Sequence, residues 1–197
     1  MERSLNKWRF IKMPTFPVHT IESAPDSSKI LLNNTKKNFG FIPNLIGVMA
    51  SSPAITEAYL AVADIFTRSS LSPTEQQVVL LTVSHFHHCT YCMAAHTAIA
   101  DMQNVDPQIV QSIRDNLPLS DGKLQVLRQF THLVLENRGW LEDADMQAFL
   151  DAGYTEGSML DVMVGISQKV LSNFTNHIAK TPLDDAFTDV AWEPAQV

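Results

Sequence analysis

The chain has 197 residues, of which 45% are apolar and 18% charged, and its net charge is −7. This composition excludes a disordered chain and suits one domain, or two small halves sharing a core, long enough to bury most of its apolar surface. The 14 basic residues form no run or aromatic-interleaved patch, which argues against nucleic acid as a partner. No apolar run approaches the roughly 20 residues a spanning helix needs, so no membrane association is expected. The first residues carry charges without an apolar stretch behind them, so no secretory signal is expected either, and the cytoplasm is the expected compartment.

Residues 1–25 carry Pro14, Pro17 and Pro25 without a clear period, and are expected as an extended arm on a helical domain formed by residues 26–197. Ser51-Ser52-Pro53 supplies a cap and a proline at a first helical position. Ile55, Ala58, Tyr59, Val62, Ile65 and Phe66 then recur on one face, and this helix should end near Arg68. Ser72-Pro73-Thr74-Glu75 opens the next in the same way, and the dense apolar run from Val78 to Val83 suggests that it is buried. Asp106-Pro107 starts a short helix with Ile109, Val110 and Ile113 inward. Ser120 or Asp121 caps one that runs through Leu135 and closes at Gly139, and another short helix ends near Gly153. The last begins at Thr155-Glu156 and runs through His177 until Thr181-Pro182 stops it. No alternating segment competes as a strand, so the expected class is all-α, with about seven or eight helices.

Offsetting the chain by 81 residues pairs Thr74 with Thr155, Glu75 with Glu156, Val83 with Val164, His96 with His177 and Ala98 with Ala179. This suggests an internal duplication, with a redox half at about 26–104 and a scaffold half at about 105–184. Only the first copy keeps thiols, because Cys89 falls opposite Val170 and Cys92 opposite Asn173.

The chemistry is expected in Cys89-Thr-Tyr-Cys92-Met-Ala-Ala-His96, which holds the only two cysteines. In a reducing compartment such a pair is more often catalytic or metal-binding than a structural staple. A thiol reacts as its thiolate, and a helix N-terminus favours that form through its dipole and free N–H groups. The spacing lets the two sulfurs meet, so an oxidised product on one can be captured by the other as a disulfide. His96 stands one turn beyond Cys92, placed to take and return a proton. His85 and His88 lie just upstream, and on a continuous helix His85 would share the face of Cys89, Cys92 and His96. Cys89, Cys92 and two of His85, His88 and His96 could instead hold structural zinc, although the usual zinc layout has a loop between ligand pairs. Glu75 stands 14 residues before Cys89, about 20 Å along an unbroken helix. It reaches the thiols only if the chain reverses near Phe86 to His88. Ser72-x-x-Glu75 also has the pattern of a capping box.

These segments resemble the carboxymuconolactone decarboxylase superfamily, in particular its AhpD-like alkylhydroperoxidase branch. The resemblance is carried by Leu71 to Ser84 and by Cys89 to His96, with support from Gly40 to Leu45 and Ser172 to Asp184. It implies an AhpD-like helical fold, a homo-oligomer (trimer or hexamer), and peroxidase activity on alkyl hydroperoxides without a cofactor or bound metal, the disulfide being reduced by an external dithiol. Matched by position, Cys92 would be attacked by peroxide, Cys89 would resolve the sulfenic acid, and His96 would relay protons with a glutamate. At the usual place of that glutamate, 12 residues before the first cysteine, this chain has Gln77, with Glu75 two residues earlier. Two further activities remain open on the residues: a thiol-disulfide reductase or redox sensor acting on a protein partner, and lactone decarboxylation, which the branch lacking the cysteine pair performs.

Overall fold

The computed structural model describes residues 15–195; the larger part of the expected arm, residues 1–14, lies outside them. Among the described residues nine α-helices follow one another: α1 Asp26–Phe39, α2 Asn44–Met49, α3 Pro53–Thr67, α4 Pro73–Phe86, α5 Thr90–Met102, α6 Pro107–Arg114, α7 Gly122–Glu136, α8 Asp143–Asp151 and α9 Glu156–Ala179. A 3-10 helix, Asp185–Val190, closes the order. No strand occurs among the described residues. The all-α class is therefore correct, and the count exceeds the expected seven or eight because α1 and the six-residue α2 lie before Pro53, where no cap or period marks them individually.

The caps legible in the sequence form as hydrogen bonds. Ser72 and Glu75 close a reciprocal capping box on α4, while Asp106, Asp121 and Thr155 each accept a backbone N–H at the start of α6, α7 and α9. Satisfying otherwise orphaned donors in this way is worth about 1 kcal/mol per cap.

α4 is the axis of the domain. Residues Gln76 to Ser84 are all buried, and the helix packs against α5, α6, α7 and α9. Each fully buried Val or Leu in its middle contributes on the order of 1.5–3 kcal/mol of transfer free energy. Gly165 lets α9 approach this axis, since a Cβ there would stand 2.7 Å from the Phe66 ring and 2.8 Å from Val79.

A second cluster of buried residues forms where α2 and the start of α5 meet, and it contains Leu45, Ile46, Met49, Cys89, Tyr91, Cys92 and Ala95. α2 has no side-chain cap of its own, because Pro43 precedes it. Asp184 supplies that function from 140 residues away, accepting the Asn44 N–H at 3.0 Å. The same carboxylate accepts the Tyr91 hydroxyl at 2.5 Å, and the Leu45 N–H donates to that hydroxyl at 3.2 Å. One buried carboxylate therefore ties α2, α5 and the C-terminal segment around the cysteines. The described part of the arm, residues 15–25, forms no helix and touches α2, where the His19 N–H donates to Gly47 O at 3.0 Å.

Candidate active site around Cys89 and Cys92

The chain reverses between α4 and α5 over His87, His88 and Cys89. His88 takes a left-handed conformation with φ 52°, and the Cys89 N–H donates back to Ser84 O at 2.9 Å. Cys89 becomes the N-cap of α5, and Cys92 lies at its third position. Both sulfurs are thiols, each residue is 1% exposed, and both face the positive end of the α5 dipole.

The opposite wall is α9. Asn176 Nδ2 donates to both sulfurs, at 3.3 Å to Cys92 and 3.8 Å to Cys89, and Ser172 Oγ stands 3.7 Å from the Cys92 sulfur. One turn earlier lies Lys169, 0% exposed, whose positive charge acts on Cys92, His96, His87 and Tyr59. Burial opposes ionisation of Cys92, but the hydrogen bond from Cys89, the Lys169 charge and the Ser172 contact outweigh it, and the Cys92 thiol is held well below the ordinary thiol range. Its bond to Cys92, together with burial, pushes Cys89 up. The pair is therefore asymmetric: Cys92 ionises and Cys89 keeps its proton.

His96 sits one turn beyond Cys92 on α5 and is buried. Its Nδ1 meets Gln77 Oε1 at 3.0 Å, while Gln77 Nε2 donates to Gln103 Oε1 at 3.0 Å. That second bond turns the Gln77 oxygen toward the ring, so His96 carries its proton on Nδ1 and keeps Nε2 as an acceptor. Burial, then the Lys169 charge, lowers the His96 pKa well below its ordinary value, so the ring is neutral at pH 7.

Two of the sequence candidates go elsewhere. Glu75 is engaged in the capping box, where it accepts the Ser72 N–H at 2.8 Å, and pairs with Lys123 at 3.2 Å. None of its hydrogen bonds or ion pairs reaches the thiols. The chain does reverse as a Glu75 relay would require, but the antiparallel register of α4 and α5 brings Gln77 opposite His96. His85 leaves the thiol face because the left-handed turn at His88 breaks the helix. Its ring meets those of Trp192 and His88, and with His88 it lines a cavity of about 290 Å³ bounded by Arg128, Asn116 and His132. Among the described residues no group of three or more His, Cys, Asp or Glu is placed to hold a metal ion.

The α9 wall was not read from the sequence. Gln168, Lys169, Ser172, Asn173 and Asn176 look like a solvated face, yet all are buried. Leu160, Phe174 and Ile178 of the same helix are instead exposed, at 69%, 46% and 69%. The available signal was charge: a solvated stripe usually mixes acidic and basic residues, and this one holds a single cation among neutral amides and a hydroxyl. His87 was also passed over; its Nδ1 meets Asn173 Oδ1 at 3.0 Å. The duplication offset places the α4–α5 turn opposite residues 168–170, in the uninterrupted middle of α9.

A model of the carboxymuconolactone decarboxylase family matches residues 53–119, a stretch that includes Gln77, both cysteines and His96 but not α9. No curated protein sequence matches significantly. Among solved structures, the chain is similar to an alkylhydroperoxidase AhpD core, an uncharacterized peroxidase-related protein from Ralstonia eutropha JMP134, with a TM-score of 0.78 at 20% identity over 89% of this chain and 95% of that one. An uncharacterized peroxidase-related protein from Silicibacter sp. TM1040 gives a TM-score of 0.75 at 19% identity over 93% and 97%. A cysteine-to-alanine variant of the debrominase Bmp8, in complex with 2,3,4-tribromopyrrole, gives 0.69 at 16% over 89% and 94%. At these identities the structural likeness is one of fold. Residues 53–119, about a third of the chain, match the carboxymuconolactone decarboxylase family, and the chain shares the fold of the AhpD core and of the peroxidase-related proteins.

Proposed function

We propose that this protein is a thiol peroxidase that reduces organic hydroperoxides through Cys92 and Cys89. The observation that carries this reading is the placing of both sulfurs on the first turn of α5 with Asn176 Nδ2 donating to each, and with Cys92 ionised in preference to Cys89. The Cys92 thiolate attacks the terminal oxygen of the hydroperoxide and the O–O bond breaks, leaving a sulfenic acid and an alkoxide that takes up a proton. Cys89 then attacks the sulfenic sulfur, water leaves, and a disulfide forms that an external dithiol reduces. His96, with Nε2 as acceptor, takes the proton from the entering Cys89 thiol and passes it to the hydroxyl that departs as water.

An organic substrate is favoured by the surroundings. A groove of about 260 Å³ lined by Phe16, Val48, Met49, Ile55, Thr175 and Ile178, among others, shares Met49 and Ile55 with the cluster that holds the cysteines. The alternative of disulfide exchange with a protein partner is disfavoured by cysteines that are each 1% exposed, since a protein disulfide reaches them only if the covering helices move away. The likeness to the debrominase Bmp8 favours a second use of the thiols, removal of bromine from a small aromatic ring, and halide release from a bromopyrrole separates that use from peroxide reduction. The expected homo-oligomer is retained in this proposal, with the exposed apolar residues of α9 as the face for a second copy.

Mass spectrometry after one equivalent of an organic hydroperoxide tests the reading. A loss of two hydrogens localised to the Cys89–Cys92 peptide is expected. A chain that remains fully reduced, or that stops at a sulfinic acid on Cys92, would rule the mechanism out.

A further inference from the structure

The feature least explained by the α5 residues is Lys169. It is 0% exposed, its Nζ has no hydrogen-bond partner among the described residues, and none of the ion pairs among them includes it. A buried ammonium without a carboxylate is costly, and a chain keeps one where a group of opposite charge forms beside it. Lys169, Ser172, Asn173 and Asn176 follow the i, i+3, i+4, i+7 spacing of a single helix face, and two members of that face already touch the Cys92 sulfur. Three further buried polar atoms of this wall, Gln168 Oε1, Asn173 Nδ2 and Asn176 Oδ1, are likewise without partners, so the wall holds unmet hydrogen-bonding capacity beside the sulfurs.

The Lys169 charge acts on Cys89, Cys92 and His96 of α5 and its cap, His87 of the α4–α5 turn and Tyr59 of α3, and the neutral amides of α9 stand on its own helix. His96 has an amide beside it in Gln77, not a carboxylate. No acidic group stands among the named contacts of the thiols, and Asp184 is turned to Tyr91 and α2.

We infer that Lys169 is the acid of this site: its ammonium is the counter-ion of the Cys92 thiolate and the proton donor to the departing alkoxide. This rests on the peroxidase reading above and adds a proton source to it. In the resting pair the proton resides on Lys169 and the negative charge on Cys92. Attack transfers the terminal oxygen to sulfur, and the O–O bond breaks toward the alkoxide. Lys169 gives that alkoxide its proton, yielding the alcohol and a neutral amine. Condensation of Cys89 with the sulfenic acid releases water, whose second hydrogen is the Cys89 proton passed through His96, and the amine regains its proton when the external dithiol reduces the disulfide and Cys92 returns to its thiolate. Two thiols and one hydroperoxide become one disulfide, one alcohol and one water.

The test is Lys169→Met, which keeps the length and burial of the stem and removes the charge. In the native protein, absorbance of the thiolate near 240 nm should already be present below pH 7. In K169M its midpoint should rise by at least one pH unit. The rate of hydroperoxide consumption should fall at least tenfold at pH 6.5, and the deficit should shrink toward pH 9 as the thiol ionises unaided. A lysine that serves only packing would alter unfolding temperature and leave the midpoint in place, and that result overturns the inference. So does a native protein without thiolate below pH 7, a measurement that needs no variant. Lys169→Gln provides the same comparison if K169M does not fold. Loss of all peroxide consumption by native protein that still shows the thiolate would instead reject the peroxidase reading while leaving the lysine–cysteine pair intact.

Discussion

Replacing Gln77 by leucine separates the two candidates for the partner of His96. The substitution keeps a branched side chain of similar volume and removes the acceptor that lies 3.0 Å from His96 Nδ1. Gln103 is exposed and recovers its bond from water, so the cost falls on the buried His96 N–H. Leaving such a donor unsatisfied costs about 1–3 kcal/mol. For a domain of this size each kcal/mol lowers the unfolding temperature by roughly 2–4 °C. Catalysis should suffer as well, because a ring no longer held in one tautomer presents Nε2 as an acceptor only part of the time. General acid–base catalysis contributes on the order of 10²–10⁴, so a loss of about tenfold or more in hydroperoxide consumption is expected. Glu75→Ala is the matched control: it opens the capping box and frees Lys123, lowering stability by about 1 kcal/mol with an unchanged rate. Calorimetry and a peroxide-consumption assay on both variants decide the matter. A Glu75→Ala enzyme slowed tenfold beside a Gln77→Leu enzyme of native rate would refute the placement of Gln77.

Cys92→Ser should lose peroxide consumption altogether, whereas Cys89→Ser should reach a sulfenic acid that a dimedone-type trap captures, followed by mass measurement. Asp184→Asn removes the charge that accepts both Tyr91 and the α2 N–H, and charge-assisted bonds are worth about 1.5–3 kcal/mol each; urea denaturation should register a loss of several kcal/mol. Burial lowers the pKa of His96, His85 and His87 from the ordinary 6.5. The unfolded chain therefore binds protons first as pH falls, stability is full above about 6.5 and declines below it, and a urea midpoint that stays constant from pH 7.5 to 5.5 would contradict this. Ile178→Asp, at a residue 69% exposed on α9, should reduce the mass measured by light scattering if that face joins copies of the chain.

The helices that start with a cap and a proline or a capping box are legible in the amino-acid order, because these signals are local: Ser72 with Glu75, Asp106 with Pro107, and Thr155 each act within one turn. The same order also determined the Cys89, Cys92 and His96 group, whose members share one helix. Tertiary structure decided the partners that come from elsewhere. The left-handed turn at His88 removed His85 from the thiol face, and the α4–α5 register brought Gln77 to His96 while Glu75 stayed at its cap. α9 departed from the ordinary reading of a helix, burying a polar stripe against the thiols while leaving Leu160, Phe174 and Ile178 exposed. Lys169 and Asn176 stand 77 and 84 residues beyond Cys92 in the chain, and no short-range pattern links such positions. Only the packing of α9 across α3 and α4, through the close approach at Gly165, makes them neighbours of the sulfur.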